Sequence, residues 1–490
     1  MSVRSLTEYA VVPLVPNQGT VWLWAGLVTL AVLAAVLLSI RPLREASADL
    51  LRRHLRTVLG LLTVAVVAVL LFRNSRHAPV PAPSVPRTSV PAARPGPDWP
   101  MDRGGLARCG RVASATGPSA AHVRWRQAWG EEAWFASPCV VGNRVYCVAS
   151  QGDRARIVCL DAASGQQVWS SAPPNYRATF SSPVVVDQLL LCGEGLHSTR
   201  RARLVALDLH SGREGTLLWT VPVASHVECT PVVWQHKVYF GAGDDGVYAF
   251  ALRHSTTATA ASPSSGPSPS PKLLFHLPGS RYPDVETALA VHAGRLYVGL
   301  GVGGQALCIL DAVTGDEIHR IALDHPVFSP PAIDGTRLYV GLGGTNLTQP
   351  GTAVQGEVIC VDLESRERVW THPLPGTVLG AIALDGGELF WGCGDGRVYA
   401  CRLADQRVRT YDTGAPLAAS LAVTPATIFA VNTAGRLVAL DRDTFRPRFS
   451  RSLGAPGHYV SAPVAFGDAL VVGTPSAGLI CIGGPTAAPP

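Results

Sequence analysis

From Ser137 onward, short apolar runs alternate with turn residues in one repeating order. Each unit opens on a small residue, usually with Pro beside it. An apolar strand follows, then a second strand ending in Gly, a tight turn, a third apolar strand, a further turn and a fourth strand. The runs are rich in Val, Leu, Ile and Tyr and are bounded by Gly, Asp and Asn, which predicts strands and not helices. The first copy is SPCVVGNRVYCVASQGDRARIVCLDAASGQQVW, Ser137 to Trp169. The second runs from Ser182 to Trp219, the third starts at Thr230, the fourth at Thr287, and the fifth runs from Ser329 to Trp370. The sixth holds GELFWGCGDGRVYACRL and the seventh ATIFAVNTAGRLVALDRDTFRPRF. The eighth, from Ser461, stops after its third strand.

The copies recur every 40 to 57 residues or so, about the length of one four-stranded propeller blade. A blade buries both faces against its neighbours, which suits near-continuous apolar strands. Asp245-Gly246 and Asp395-Gly396 supply the positive φ of two-residue hairpins. A sandwich array or a solenoid fits less well, because the turns recur at the same places in every copy. The eighth copy lacks its last strand, and HVRWRQAW stands just ahead of the first copy, with Trp125 where other copies end in Trp. Residues 123–127 are therefore expected to complete the last blade and close the ring, which leaves no bare sheet edge. The fold class expected is all-β: an eight-bladed β-propeller with four-stranded antiparallel blades, preceded by two transmembrane helices.

Those helices come from the other hydrophobic pattern. Residues 21–40, VWLWAGLVTLAVLAAVLLSI, carry no charge and are long enough for a hydrocarbon core of roughly 30 Å. Residues 57–72, TVLGLLTVAVVAVLLF, make a shorter second span between Arg56 and Arg73, which can snorkel. The connector 41–56 holds Arg41, Arg44, Arg52, Arg53 and Arg56, against Arg4 alone in the tail 1–20. The positive-inside rule puts the connector in the cytoplasm and the C-terminal part outside it, in the periplasm or cell exterior. Residues 73–98 are Pro-rich and read as a semi-rigid spacer. The propeller is expected over 99–484, followed by a tail at 485–490, with a low-complexity insertion at Ser255 to Pro271.

A docking pattern joins the copies. In LDAASGQQVW, Asp161 is followed four residues later by Gly165 and eight later by Trp169. Asp362 and Trp370 repeat the spacing with Arg366 in the Gly slot, and Asp208, Gly212 and Trp219 form a version with an insertion. Asp311 and Gly315 pair with His319, and Asp441 with Phe449. The sixth copy is degenerate, with Arg402 and Thr410 in those places. Asp can hold turn amides, Gly can take the left-handed conformation, and an indole can wedge between blades. The pattern resembles the tryptophan-docking motif of PQQ-type eight-bladed β-propellers. WPMDRGGLARCGR, Trp99 to Arg111, is similar to the W-P-x-x-R-G opening of bacterial members. The resemblance covers about residues 99 to 484. It implies either a PQQ-dependent oxidoreductase or the non-enzymatic branch similar to the outer-membrane assembly propeller lipoproteins.

Composition and motifs favour the second. The net charge is +6 and the only lysines are Lys237 and Lys272, so no nucleic-acid footprint is read. Charged residues are 16% of the chain and hydrophobic residues 47%, which excludes a disordered chain. There are no adjacent cysteines, no C-x-x-C-H haem site, no calcium-loop cluster, and no Walker, H-E-x-x-H or G-x-S-x-G motif. No catalytic residue, cofactor or metal ligand is assigned, and the 14 histidines are scattered. The 11 cysteines fall mostly on strands and read as buried thiols. Cys147 and Cys159, flanking one hairpin, are the candidates for facing each other.

What remains is a surface. The loops leading into each first strand offer Trp134, Arg177, Phe180, His226, Glu228, Arg281, Tyr282, Glu286, Phe328, His458 and Tyr459 as a candidate binding face. Aromatics with Arg commonly anchor protein contacts. The recurring Ser137, Ser182, Thr230, Thr287, Ser329, Ser420 and Ser461 are expected to line the channel and satisfy first-strand amides. The function expected is a membrane-anchored scaffold that binds a protein or peptide of the cell envelope, possibilities beside it being a PQQ-dependent oxidoreductase and a ligand-binding sensor.

Overall fold

The structure is a computed structural model that describes Gly110 and residues 115–130, 132–252, 270–344 and 355–484. The chain divides into two units, Met1–Ala92 and Ala93–Pro490, and all described residues belong to the second. The expected spans at 21–40 and 57–72, the connector, the Pro-rich segment and most of residues 99–111 lie outside the described residues. Among the described residues, no helix is long and apolar enough to cross a membrane.

Eight four-stranded antiparallel sheets follow one another, as the repeat predicts. Blades 1 to 7 span residues 139–171, 184–222, 232–278, 290–322, 332–374, 383–412 and 422–452. Blade 8 takes its three inner strands from 464–483 and its outer strand from Val123–Gln127. The closing strand pairs Trp125 with Cys481, Arg126 with Ile480 and Gln127 with Leu479. Gly483 N donates to His122 O (2.9 Å), and Arg451 reaches Ala121 O (2.5 Å) from blade 7. An Arg124–Asp468 ion pair completes the seam.

Burial explains the strand compositions. The second and third strands are buried almost throughout, as in Lys237–Gly241 and Leu479–Gly483. The outer strands face solvent and are polar, as in Arg407–Asp412. In six blades the second strand carries a Gly at or close to its end: Gly193, Gly241, Gly299, Gly341, Gly392 or Gly473. The lead-in segment of a neighbouring blade lies on each of them, so a Cβ there would sit 2.2 to 3.0 Å from its atoms.

The docking motif joins blades as expected, with two corrections. Asp161 Oδ1 accepts the amides of Ala163 (3.2 Å) and Ser164 (3.0 Å), and Asp311, Asp362 and Asp441 hold the corresponding turns. Gly165 N closes the turn on Asp161 O (2.8 Å) at φ 71°. Trp125 lies on Gly165, where a Cβ would come within 2.5 Å of the indole, and its Nε1 donates to Ala162 O (2.9 Å). Trp169 docks in the same way on Gly215, not on Gly212, where a Cβ would meet nothing within 4 Å. The insertion after Asp208 lengthens the turn; Gly212 and Gly215 are both left-handed, but it is Gly215 N that bonds Asp208 O (2.8 Å).

In seven blades a one-residue bulge precedes the docking residue, whether Trp125, Trp169, Trp219, Phe275, His319, Trp370 or Phe449. The extra residue bends the strand and turns that side chain toward the next blade. Blade 6 has no bulge, and its docking position is Arg409, not Thr410. Arg409 lies 5.1 Å from the Phe445 ring, and Phe445 fills the Gly slot of blade 7 at φ 59°. A cation–π contact thus replaces indole on glycine at this junction.

The hydroxyls link the inner strands side by side. Ser137 N is bonded by Ser182 Oγ (3.0 Å), Ser182 N by Thr230 Oγ1 (3.2 Å), Ala381 N by Ser420 Oγ (2.9 Å) and Ala462 N by Ser137 Oγ (3.0 Å). Each satisfies a neighbouring blade's amide, so these four are structural links. The ten described cysteines are buried. Cys147 and Cys159 do not face each other: Cys159 stands opposite Tyr146, and the two thiols enter different interblade cores.

Trp125 is 7% exposed and fills the seam, so Trp125→Ala is expected to cost about 3–5 kcal/mol. Deleting residues 119–130 should lower the melting temperature further by baring the Leu479–Gly483 edge. Unchanged thermal melting of both variants would reject this closure.

Candidate functional site

The segment leading into each inner strand places successive residues on opposite sides. Five positions ahead of the strand, Trp134, Thr179, Val227, Val285, Val327, Val378, Leu417 and Tyr459 are all buried. One residue later, Phe135, Phe180, Glu228, Glu286, Phe328, Leu379 and Val460 are half-buried, with the small Ala418 completing the set. These eight residues, one from each blade, make the inner rim of the loop face. Phe135 and Phe180, from adjacent blades, meet edge to face with ring centroids 5.4 Å apart. Six rim residues are apolar, and two neighbouring ones, Glu228 and Glu286, are carboxylates.

All eleven residues of the expected binding face lie in these lead-in segments, but four are turned inward. Trp134 is 1% exposed and meets Trp129 at a tilt of 36° with ring centroids 5.5 Å apart. Tyr459 is 1% exposed, and its hydroxyl donates to Ala455 O (3.0 Å). Tyr282 donates to Glu317 Oε2 (2.8 Å) beneath Arg320. His226 is fully buried. Trp134, Tyr459 and Tyr282 pack into the interblade cores, whereas His226 is buried against the polar group around Glu286. Arg177 donates to Arg200 O (2.9 Å), Arg281 pairs with Glu317 (3.3 Å), and His458 is exposed. Phe180, Glu228, Glu286 and Phe328 reach the rim.

The carboxylate arc holds the chemistry. His226 Nε2 lies 3.1 Å from Glu286 Oε1, and its Nδ1 lies 3.1 Å from Ser225 Oγ. His197, on the loop joining the second and third strands of blade 2, bonds the same Glu286 oxygen through Nδ1. The two imidazoles stand 5.3 Å apart. Asp284 accepts Val302 N (2.5 Å) beside them, and Glu228 Oε1 is buried with no hydrogen-bond partner among the described residues. The nitrogens of His197 and His226 and the carboxylate of Glu286 all lie within 4.8 Å of one another, close enough to share a metal ion. The sequence offers no local signal for this. His197 and Glu286 are 89 residues apart and meet only because three consecutive blades turn their loops to one face. His197 and Asp284 were not among the residues expected.

Electrostatics couple the group. The hydrogen bond to Glu286 raises His197 to about 9. Burial pushes Glu286 up, but its bonds to His197 and His226 outweigh that and hold it at about 2. Burial, then the Glu286 charge, raises Asp284 to about 7 and Glu228 well above the usual carboxylate range. Across the ring, a depression of about 520 Å³ between blades 6 and 7 has polar groups bonded to each other, Asn432 Nδ2 to Thr413 O at 2.9 Å among them.

A family described as outer membrane protein assembly factor BamB matches residues 100–277 and 352–411. Among solved structures, quinohemoprotein alcohol dehydrogenase from Comamonas testosteroni aligns with TM-score 0.60 at 13% identity, covering 80% of this chain and 82% of its own. BamB from Moraxella catarrhalis aligns with TM-score 0.55 at 12% identity, covering 76% and 99%. The computationally designed Ika8 protein aligns with TM-score 0.56 at 14% identity, covering 74% and 99%. At these identities the likeness is one of fold. No curated protein matches the chain significantly.

A histidine raised from 6.5 to about 9 contributes stability that is fully present below pH 6.5 and is lost as pH rises through 9. An Asp raised to about 7 binds more protons folded than unfolded, so it also makes stability fall with rising pH, between 3.8 and 7. In chelator-treated protein the NMR titration of His197 should centre near pH 9, and Glu286→Gln should bring it back toward 6.5. A wild-type midpoint near 6.5 would contradict the coupling.

Proposed function

Because this chain is an eight-bladed β-propeller of the PQQ-like repeat type, we propose that it is a binding scaffold whose loop face takes a protein or peptide segment. In this reading the N-terminal spans anchor it in the cytoplasmic membrane, and the propeller works outside the cytoplasm, in the cell envelope. The Arg-rich connector between the spans supports that orientation.

The inner rim carries the proposal. Phe135, Phe180, Phe328, Leu379 and Val460 gather half-exposed apolar surface in one place on a rigid ring. By contrast, exposed large apolar side chains such as Val168, Leu273 and Val369 are scattered over the outer strands of three different blades, which is ordinary for a protein surface. Aromatics held by a rigid frame lose little entropy on binding and suit an apolar segment of a partner. The BamB-type family match and the BamB fold neighbour support a scaffold; the alcohol dehydrogenase shares the fold but does not carry its chemistry across.

Photo-crosslinkers placed at Phe180, Phe328 and Leu379 in intact cells should give a discrete adduct that is absent from the outer-strand position Leu273. Phe180→Asp and Phe328→Asp should each weaken capture of that partner about tenfold or more. Equal labelling from Leu273, or dye-linked dehydrogenase activity after adding PQQ and calcium, would overturn the scaffold reading.

A further inference from the structure

We propose that His197, His226 and Glu286 form a binding site for a divalent transition-metal ion of the zinc class, with Asp284 and Glu228 as supporting carboxylates. The ion ties the blade 2 hairpin loop to the segments leading into blades 3 and 4. The site stands apart from the scaffold reading, because none of its three ligands is an apolar rim residue.

Charge matching makes the group unusual within this molecule. Elsewhere a buried or half-buried glutamate is met by arginine. Arg156 grips Glu132 with two nitrogens at 3.1 Å, Arg203 grips Glu194 at 2.6 and 2.8 Å, and Arg320 reaches Glu317 at 2.8 Å. At the carboxylate arc three acids converge, and no Lys or Arg among the described residues pairs with any of them. Two imidazoles are the only basic groups bonded there, and one of them is buried. A bound dication supplies the missing positive charge.

The three donor atoms lie within 4.8 Å of one another, close to the spacing of a metal site. Ligands at zinc-like bond lengths of about 2.1 Å stand roughly 3.0 to 3.4 Å from one another. His226 Nε2 and Glu286 Oε1 stand 3.1 Å apart. Ser225 Oγ lies against His226 Nδ1, and so orients the ring with Nε2 toward the site, the usual outer-shell arrangement of a metal-bound imidazole. Two glycines make room for donors: a Cβ on Gly243 would lie 2.4 Å from His226 Cε1, and one on Gly301 would lie 2.3 Å from Asp284 Oδ2. The unpartnered Glu228 Oε1 is a further oxygen next to the group. Two imidazoles with a carboxylate select zinc and its first-row neighbours, whereas calcium and magnesium prefer an all-oxygen shell. His197 is exposed, so the ion keeps a solvent-facing side with room for an outside ligand.

The test uses the full chain in detergent without a histidine tag, stripped with chelator and then given zinc alone. One ion per chain should be retained through gel filtration, and zinc should raise the melting temperature. His197→Ala, which removes an exposed side chain, and Glu286→Gln should each bind zinc about tenfold or more weakly. Cobalt should give visible ligand-field bands in the wild type that are lost in His197→Ala. Phe180→Asp should keep the ion whether or not it loses a partner. Failure to retain zinc, equal retention by both ligand variants, or displacement by equimolar calcium would overturn the proposal.

Discussion

An array of blades has two bare sheet edges unless its ends share a strand, and here one five-residue segment removes both. Val123–Gln127 completes the sheet begun by residues 464–483, so the last blade is built from both ends of the propeller. The cost of closing so long a loop is offset by a ladder, a buried indole and an arginine pair at one seam. Everything on the loop face inherits its position from that closure. Opening the ring would let the blade-to-blade angle relax and would spread the rim.

Within the ring, one local constraint recurs. The segment leading into each inner strand presses on a residue at or close to the end of a neighbouring second strand, which is why Gly is found there in six blades. The segment is extended, so one residue goes into the core and the next goes to the rim. Blade repetition turns that alternation into two circles, one buried between the blades and one half-exposed at the rim. Function has room to vary in the second circle, and there apolar residues give way to two carboxylates in blades 3 and 4. The adjoining loops bring imidazoles to just that arc, where arginine serves elsewhere.

The blade count, the strand grammar and the closure could be read in the sequence because each rests on a local pattern: apolar runs, turn glycines and a final copy one strand short. Trp125 stood out because it precedes the first copy at the place where other copies end in Trp, while the eighth copy lacks its last strand. Gly212 was misassigned for an equally local reason, since an inserted turn makes Gly215 the residue that closes on Asp208. Thr410 was misassigned because blade 6 has no bulge, which puts Arg409 in the docking register. Trp134, Tyr282 and Tyr459 were expected outside and are inside, because aromaticity says nothing about which side of an extended segment a residue takes. Alignment to the Val227, Val285 and Val327 register separates the two sides for Trp134 and Tyr459. His197 and Asp284 were beyond reach, since only the three-dimensional sequence of blades brings them to Glu286.

Native-state hydrogen exchange measured by mass spectrometry tests the closed ring most directly. If the seam is an integral part of one cooperative unit, amides of Val123–Gln127 and Leu479–Gly483 should be protected as strongly as those of Arg295–Leu300 and Ala306–Asp311 on the opposite side of the ring. Fast exchange confined to the seam, with the opposite blades still protected, would mean that the ends fray independently and that the ring does not hold the loop face in place.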